Sequence, residues 1–304
     1  MRIIFMGGHN LGKQTLQKLI DKGKNIVAVV TNTEEEWYRG VDEIARENGL
    51  LLFENININS EEFIKSAEQL NPDLIVVVNF SQILKQQIIA IPKKGCINTH
   101  ASLLPDYRGR APLNWAIING EKRVGVTVHN IETGIDTGDI ILQEPVEVEE
   151  DDYIENVLMK VTSIYPDVVN NAVDLIAEDK VIGKKQDMSK GRYFGKRTAT
   201  DGEIDWTKDA QQIFNLIRAV SRPYPGAYSY IGDNNRVVIW RAELIDQTEL
   251  QKSLPNGYIL KVDNNHLHVK AKNKNLLITE YVIMGEQHNI QEKNIFKASG
   301  KEHA

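Results

Sequence analysis

Short apolar runs alternate with amphipathic stretches through the first half of the chain. RIIFMGG opens it, and the following LGKQTLQKLIDKG places Leu11, Thr15, Leu16, Leu19 and Ile20 on one helical face. NIVAVVT, the helical pattern of WYRGVDEIARENG and then EEFIKSAEQL continue the alternation. LIVVVNF, residues 74–80, is the kind of apolar run expected of a strand covered on both faces. A short ILKQQIIAI leads to the turn PKKG, and CINTH reads as a further strand. This β-α-β order predicts a mostly parallel, Rossmann-like sheet wrapped by helices.

Two more strands, VGVTVHNI and GDIILQEPVEV, flank the loop ETGIDTG. The stretch DDYIENVLMKVTSIYPDVVNNAVDLIAE has helical periodicity and opens on two acids, which suit a helix N-terminus. The pattern then breaks at IGKKQDMSKGRYFGKRTATDGE, so the expected domains are residues 1–188 and 189–304. Beyond the break, AQQIFNLIRAVS forms one helix stopped by RPYPG. The strands AYSYI, RVVIWRAEL, GYILKV, HLHVKAK and NLLITEYVI follow, separated by GDNN, PNG, DNN and NKN turns. That is the signature of a small β-barrel, the oligonucleotide/oligosaccharide-binding type among others.

Composition narrows this picture only a little. The chain has 304 residues, 41% of them hydrophobic and 26% charged, as in ordinary globular proteins. No apolar run is long enough to span a bilayer, and no secretory leader follows Met1, so the cytoplasm is the expected compartment and no membrane partner is expected. The single cysteine, Cys96, permits neither an internal disulfide nor a cysteine-based zinc site. A formal charge of -6 argues against a nucleic-acid partner. The basic Lys184-Lys185 pair reads as a solvated part of the linker.

The chemistry concentrates between residues 95 and 143, in GCINTHASLLPDYRGRAPLNWAIINGEKRVGVTVHNIETGIDTGDIILQ. Asn98 and His100 are two apart on a strand and share a face. An abrupt ASLLP exit, a cationic RGR loop and a carboxylate-rich turn with Glu132, Asp136 and Asp139 follow. An amide donor, an acid/base and a charge partner are thus within one region. An acid beside His100 would raise the imidazole pKa. Metal binding by these carboxylates lacks a neighbouring His or Cys at ligand spacing. MGGHNLG fails the dinucleotide fingerprint, because His9 stands where its second glycine belongs; at a strand end it reads equally as a substrate loop or a tight turn. Arg222 and Tyr224 in the rigid RPYPGAY turn suit a nucleotide, whereas Trp115, Trp206 and Trp240 read as packing residues and His266 and His268 as surface positions.

INTHASLLPDYRGRAPLNWAIINGE followed by GVTVHNIETGIDTGDIILQ resembles the signature of the 10-formyltetrahydrofolate-dependent formyltransferases. That family includes methionyl-tRNA, glycinamide ribonucleotide and sugar N-formyltransferases. The resemblance extends through RPYPGAYSYIG to the family's second domain. It implies a formyltransferase fold with an OB-like C-terminal domain. It also implies catalytic roles for Asn98, His100 and Asp136, and folate contacts around Gln82, Ile83, Leu84, Arg110 and the loop Glu132, Thr133, Gly134, Ile135. The opening loop with His9 would help define the acceptor. In this chemistry an amine attacks the formyl carbon carried on the folate. Asn98 and a protonated His100, kept charged by Asp136, stabilise the oxyanion, and His100 protonates the departing nitrogen. No metal is required.

Within the family, RGRAPLNWAI and RPYPGAYSYIG look closest to sugar N-formyltransferases acting on UDP-4-amino-4-deoxy-L-arabinose. The tRNA-modifying relatives carry a basic insertion after the second strand, where this chain has TNTEEEWYRG. The expected acceptor is therefore the amine of a nucleotide-linked amino sugar destined for a surface glycan, with methionyl-tRNA as the alternative. A formyl-folate hydrolase and an idle folate-binding protein are the readings from other classes. A homodimer is expected by analogy with the sugar-modifying relatives.

Overall fold

In a computed structural model, residues 1–34, 39–232, 235–285 and 290–298 are described. They form two compact units. The first comprises Met1–Gly109, Arg123–Val146 and Met159–Phe194; the second comprises Arg110–Lys122, Glu147–Leu158 and the chain from Gly195 on.

The strands met in the first unit are β1 (Arg2–Gly7), β2 (Asn25–Thr31), β3 (Leu52–Glu54), β4 (Leu74–Val78), β5 (Cys96–His100), β6 (Arg108–Gly109), β7 (Arg123–Asn130), β8 (Ile140–Glu147) and β9 (Tyr193–Phe194). Along the same chain run helices α1 (His9–Asp21), α2 (Val41–Glu47), α3 (Glu61–Gln69), α4 (Gln86–Ile89), α5 (Pro112–Ile118) and α6 (Ile154–Ala177), of which α5 belongs to the second unit. Seven strands make one sheet in the order β3-β2-β1-β4-β5-β7-β8. Pairing is parallel from β3 through β5 and turns antiparallel at β5–β7, so the expected mostly parallel, Rossmann-like sheet is present.

Alternation along the strands explains the packing. Ile4, Met6, Ala28, Val30, Ile75, Val77 and Cys96 share one buried cluster with Phe63 and Ala67 of α3 and Ile88 of α4. Their sequence neighbours Ile3, Phe5, Val29, Leu74 and Val76 are equally buried on the other face. A sheet sealed on both sides leaves its strand ends as the place for chemistry. The chain reverses sheet direction between β1 and β4, since β1 pairs with both β2 and β4, and open α/β sheets bind ligands at such switch points.

The second unit holds α7 (Ala210–Val220) and strands β10 (Ala227–Ile231), β11 (Asn235–Ile245), β12 (Ile259–Asp263), β13 (His266–Lys270), β14 (Asn275–Met284) and β15 (Phe296–Lys297). Their order is β12-β13-β14-β11-β10-β15, and a bridge between Tyr258 and Ile295 brings the two edges together. β11 curls through two irregularities between Ile239 and Ala242. The β12–β13 hairpin turns on Asn264 and Asn265, both at positive φ, as the DNN pattern predicts. This antiparallel half-barrel is the OB-like domain.

Candidate active site

β5 places Asn98 and His100 two positions apart, and its antiparallel partner β7 sets His129 directly opposite Asn98. The loop after β7 folds back so that Asp136 reaches all three. Asp136 Oδ2 lies 3.7 Å from His100 Nδ1, and Oδ1 lies 3.5 Å from His129 Nε2 and 3.5 Å from Asn98 Nδ2. The Gly109 N–H donates to Asp136 Oδ2 at 2.9 Å. Asn98 Nδ2 is also 3.4 Å from His129 Nε2. All of these residues belong to the first unit.

The backbone is shaped for this convergence. Asp136 adopts positive φ, which Asp tolerates better than most residues. A Cβ at Gly138 would overlap the Asn130 carbonyl oxygen, so only glycine lets the loop double back here. Gly109 is likewise at positive φ against the Phe194 carbonyl, which aims its N–H at the carboxylate. Below the site, the buried Tyr165 hydroxyl donates to the Thr99 carbonyl at 2.7 Å and fixes the end of β5.

The two imidazoles are held differently. His100 Nε2–H donates to the Tyr107 carbonyl at 2.7 Å, which leaves Nδ1 facing Asp136. His129 Nδ1–H donates to its neighbour's carbonyl, Asn130 O, at 2.8 Å and turns Nε2 toward Asn98 and Asp136. Burial works to raise the Asp136 carboxyl, but the hydrogen bond from His129, the charge of His100 and the Gly109 N–H bring it down to about 2. The site therefore holds a largely buried carboxylate that favours its ionised form.

One electrostatic expectation is corrected. Asp136 does favour a charged His100, as does the Tyr107 carbonyl, yet burial outweighs both and holds the ring below the ordinary imidazole value. Burial therefore favours the neutral form of His100. At 3.7 Å the carboxylate supplies field without a hydrogen bond, so a proton on Nδ1 would be stabilised but not locked.

The other singled-out positions lie as follows. Gln82 uses its side chain internally: Nε2 donates to Ile56 O at 2.7 Å, and Oε1 accepts from Ile58 N–H at 3.1 Å. Leu84 is core. Ile83 is 76% exposed and Ile135 is 53% exposed, with Glu132, Thr133 and Gly134 exposed beside the latter. Both isoleucines lie on loops that leave sheet strands, the first after β4 and the second after β7. Arg110 is exposed and begins a segment of the second unit. His9 heads α1 at positive φ, half-buried, with burial lowering its pKa. In the second unit, Arg222 pairs with Glu280 and lies over the Trp240 ring, while Tyr224 bonds to Asn114. Trp206 is buried and stacks on Phe296, and His268 contacts Asp263 at 3.2 Å.

Sequence reasoning did not find His129 or Gln186. Only the β5–β7 register puts the first beside Asn98. The second reaches Asp136 O at 2.9 Å across a separation of 50 residues.

Residues 1–173 match the Formyl transferase family model and residues 196–296 match the model of the Formyl transferase C-terminal domain. The chain belongs to the formyl transferase family. It is an enzyme of that type, and its co-substrate is formyl-tetrahydrofolate. A methionyl-tRNA formyltransferase of Caldanaerobacter subterraneus subsp. tengcongensis is 36% identical over 98% of this chain and 100% of that protein. That of Clostridioides difficile is 37% identical over 92% of this chain and 91% of its own length. Among solved structures, an N-formyltransferase from Helicobacter canadensis, in complex with folinic acid and dTDP-3-aminofucose, superposes with a TM-score of 0.70. It is 20% identical over 91% of this chain and 98% of that one, which shows the shared fold.

These relatives overturn the nucleotide-sugar acceptor expected from the sequence. The full-length likeness is to methionyl-tRNA formyltransferases, while the sugar enzymes are alike in fold at much lower identity. The motifs that suggested a sugar carry core residues of the second unit, among them Leu113, Ile117, Ala227 and Tyr228, which packing alone accounts for. Arg222 is engaged by Glu280 and Trp240, and residues 35–38 of the acidic run TNTEEEWYRG lie outside the described residues. The formal charge of -6 is spread unevenly along the chain. The acidic excess falls within residues 1–194, and the remainder is slightly basic. Among the described residues, no helix is long and apolar enough to cross a membrane.

Proposed function

We propose that this chain transfers the formyl group of 10-formyltetrahydrofolate to the free amine of the methionyl group on methionyl-tRNA. The observation that carries this reading is the likeness to methionyl-tRNA formyltransferases across the whole length of both chains, 98% and 100% for the first of them. The slightly basic stretch of residues 195–304 suits a polyanionic acceptor better than a uniformly acidic chain would.

In this reading the folate supplies an activated formyl carbon, held by the loops that carry Ile83 and Ile135. The chain's own residues manage charge and protons around it. Asn98 offers N–H donors to the oxygen that becomes negative, a contribution of about 100- to 1,000-fold in rate. Neutral His100 accepts the proton of the attacking amine at Nδ1, becomes an imidazolium in the field of Asp136, and returns that proton to the departing nitrogen. A base that is neutral at rest and stabilised once charged suits both halves of the transfer. His129 and the Gly109 N–H keep Asp136 ionised and aimed.

The test is a panel of acceptors supplied with formyl-tetrahydrofolate: charged initiator methionyl-tRNA, uncharged tRNA, free methionine and UDP-, dTDP- and GDP-linked amino sugars. Formylation of the charged tRNA alone is expected. Transfer to a nucleotide sugar without transfer to the tRNA would overturn the reading.

A further inference from the structure

A segment that neither family model covers holds the reacting groups in place. The two models end at residue 173 and begin again at 196, yet residues 184–194 run back along the first unit and fasten its site from three directions. Lys184 exchanges two backbone hydrogen bonds with Ile140, each 2.9 Å, at the start of β8. Gln186 then donates through Nε2 to two carbonyls at once, Asp136 O at 2.9 Å and Gly138 O at 2.7 Å. Arg108 N–H donates to the Arg192 carbonyl at 3.0 Å, and β6 pairs with β9 beside Gly109. Phe194 stacks on Tyr107 at 5.0 Å, and the Arg192 guanidinium lies 4.9 Å above the same ring.

Each attachment meets a backbone group next to the chemistry. Tyr107 supplies the carbonyl that orients His100, and Gly109 supplies the N–H that orients Asp136. Gln186 grips the main chain of Asp136 itself, a residue at positive φ whose carboxylate position follows directly from its backbone. Two carbonyl acceptors fix which end of the Gln186 amide is nitrogen. Its Oε1 is buried with no hydrogen-bond partner among the described residues, so the side chain is kept there by its N–H contacts despite an unmet acceptor.

We infer that Gln186 is a positioning residue for formyl transfer, clamping the backbone of Asp136 and Gly138 so that the carboxylate stays between His100 and His129. This rests on the catalytic reading of Asp136 and His100 given above. It predicts an effect on turnover and on the acid limb of the rate, because displacing the carboxylate removes the influence that opposes burial at His100.

The experiment uses the full chain and its variants Gln186→Met, which keeps volume and loses the donor, and Gln186→Ala. With the acceptor found active in the panel above, kcat is expected to fall by about 10- to 100-fold, the scale of a misplacement near 1 Å. KM for formyl-tetrahydrofolate should change by less, and the acid limb of kcat/KM should move to lower pH. Thermal melts should remain cooperative, since Lys184, Arg192 and Phe194 still tie the strap down. Unchanged kcat and an unmoved acid limb in both variants would overturn the inference. So would loss of the cooperative melt in both, which would make Gln186 a folding residue. Asp136→Asn separates the two levels: near-normal turnover in that variant defeats the catalytic reading itself. An inactive Asp136→Asn beside unaffected Gln186 variants defeats only the clamp.

Discussion

Two polar, turn-rich regions of this chain look alike in sequence and differ in what their side chains do. Around β5 and the loop after β7, the Asp136 carboxylate lies within 3.7 Å of polar atoms of Asn98, His100 and His129, and among the described residues no guanidinium pairs with it. In the turn after α7, Arg222 pairs with Glu280, Tyr224 bonds to Asn114, and the Ser221 hydroxyl donates to Trp240 O at 2.8 Å. The first region keeps a largely buried carboxylate beside a ring whose neutral form burial favours. The second pairs Arg222, Tyr224 and Ser221 with neighbours in its own unit. Polar residues among turn residues mark where a chain bends. Buried charge without a full counter-charge marks where it works.

The largest expected break in that contrast is His100→Ala. On the proposed mechanism it removes the group that moves the proton and should lower kcat by about 1,000-fold, within the range for loss of an acid–base residue, with folate affinity largely kept. Single-turnover formylation and equilibrium binding of the folate measure the two separately. Turnover within tenfold of normal would remove His100 from the mechanism.

A smaller effect sharpens the same region through pH. The folded chain binds a proton at His100 less readily than the unfolded chain, whose imidazole titrates near the ordinary 6.5. Its contribution to stability is therefore present at neutral pH and is lost as pH falls below about 6.5 toward the lowered folded value. Asp136 has the carboxylate behaviour: its contribution is present above the ordinary 3.8 and is lost as pH falls toward about 2. Thermal melts between pH 5 and 8 should show a decline in the wild type that is reduced in His100→Gln. Activity should stay level as pH falls through 6.5 and decline only below it. Equal pH dependence of the two melts would mean that burial does not govern His100.

The smallest effect belongs to the other region. Arg222→Ala removes an exposed ion pair worth at most about 1 kcal/mol and should change kcat/KM by no more than about twofold. A large rise in KM for the acceptor would instead give that turn a role in substrate binding and erase the contrast.

The sequence by itself determined the longer strands, the family signature and the placement of Asn98 and His100 on one strand, while the short β3, β6, β9 and β15 escaped it. Strand alternation and helical periodicity are local properties of neighbouring residues and need several residues to show. Packing decided the rest. His129 faces Asn98 only through the antiparallel register of β5 and β7, Gln186 reaches Asp136 across 50 residues, and the preference of His100 for its neutral form follows from burial. Register, long-range contact and desolvation depend on what the folded chain places nearby, and no local pattern encodes them.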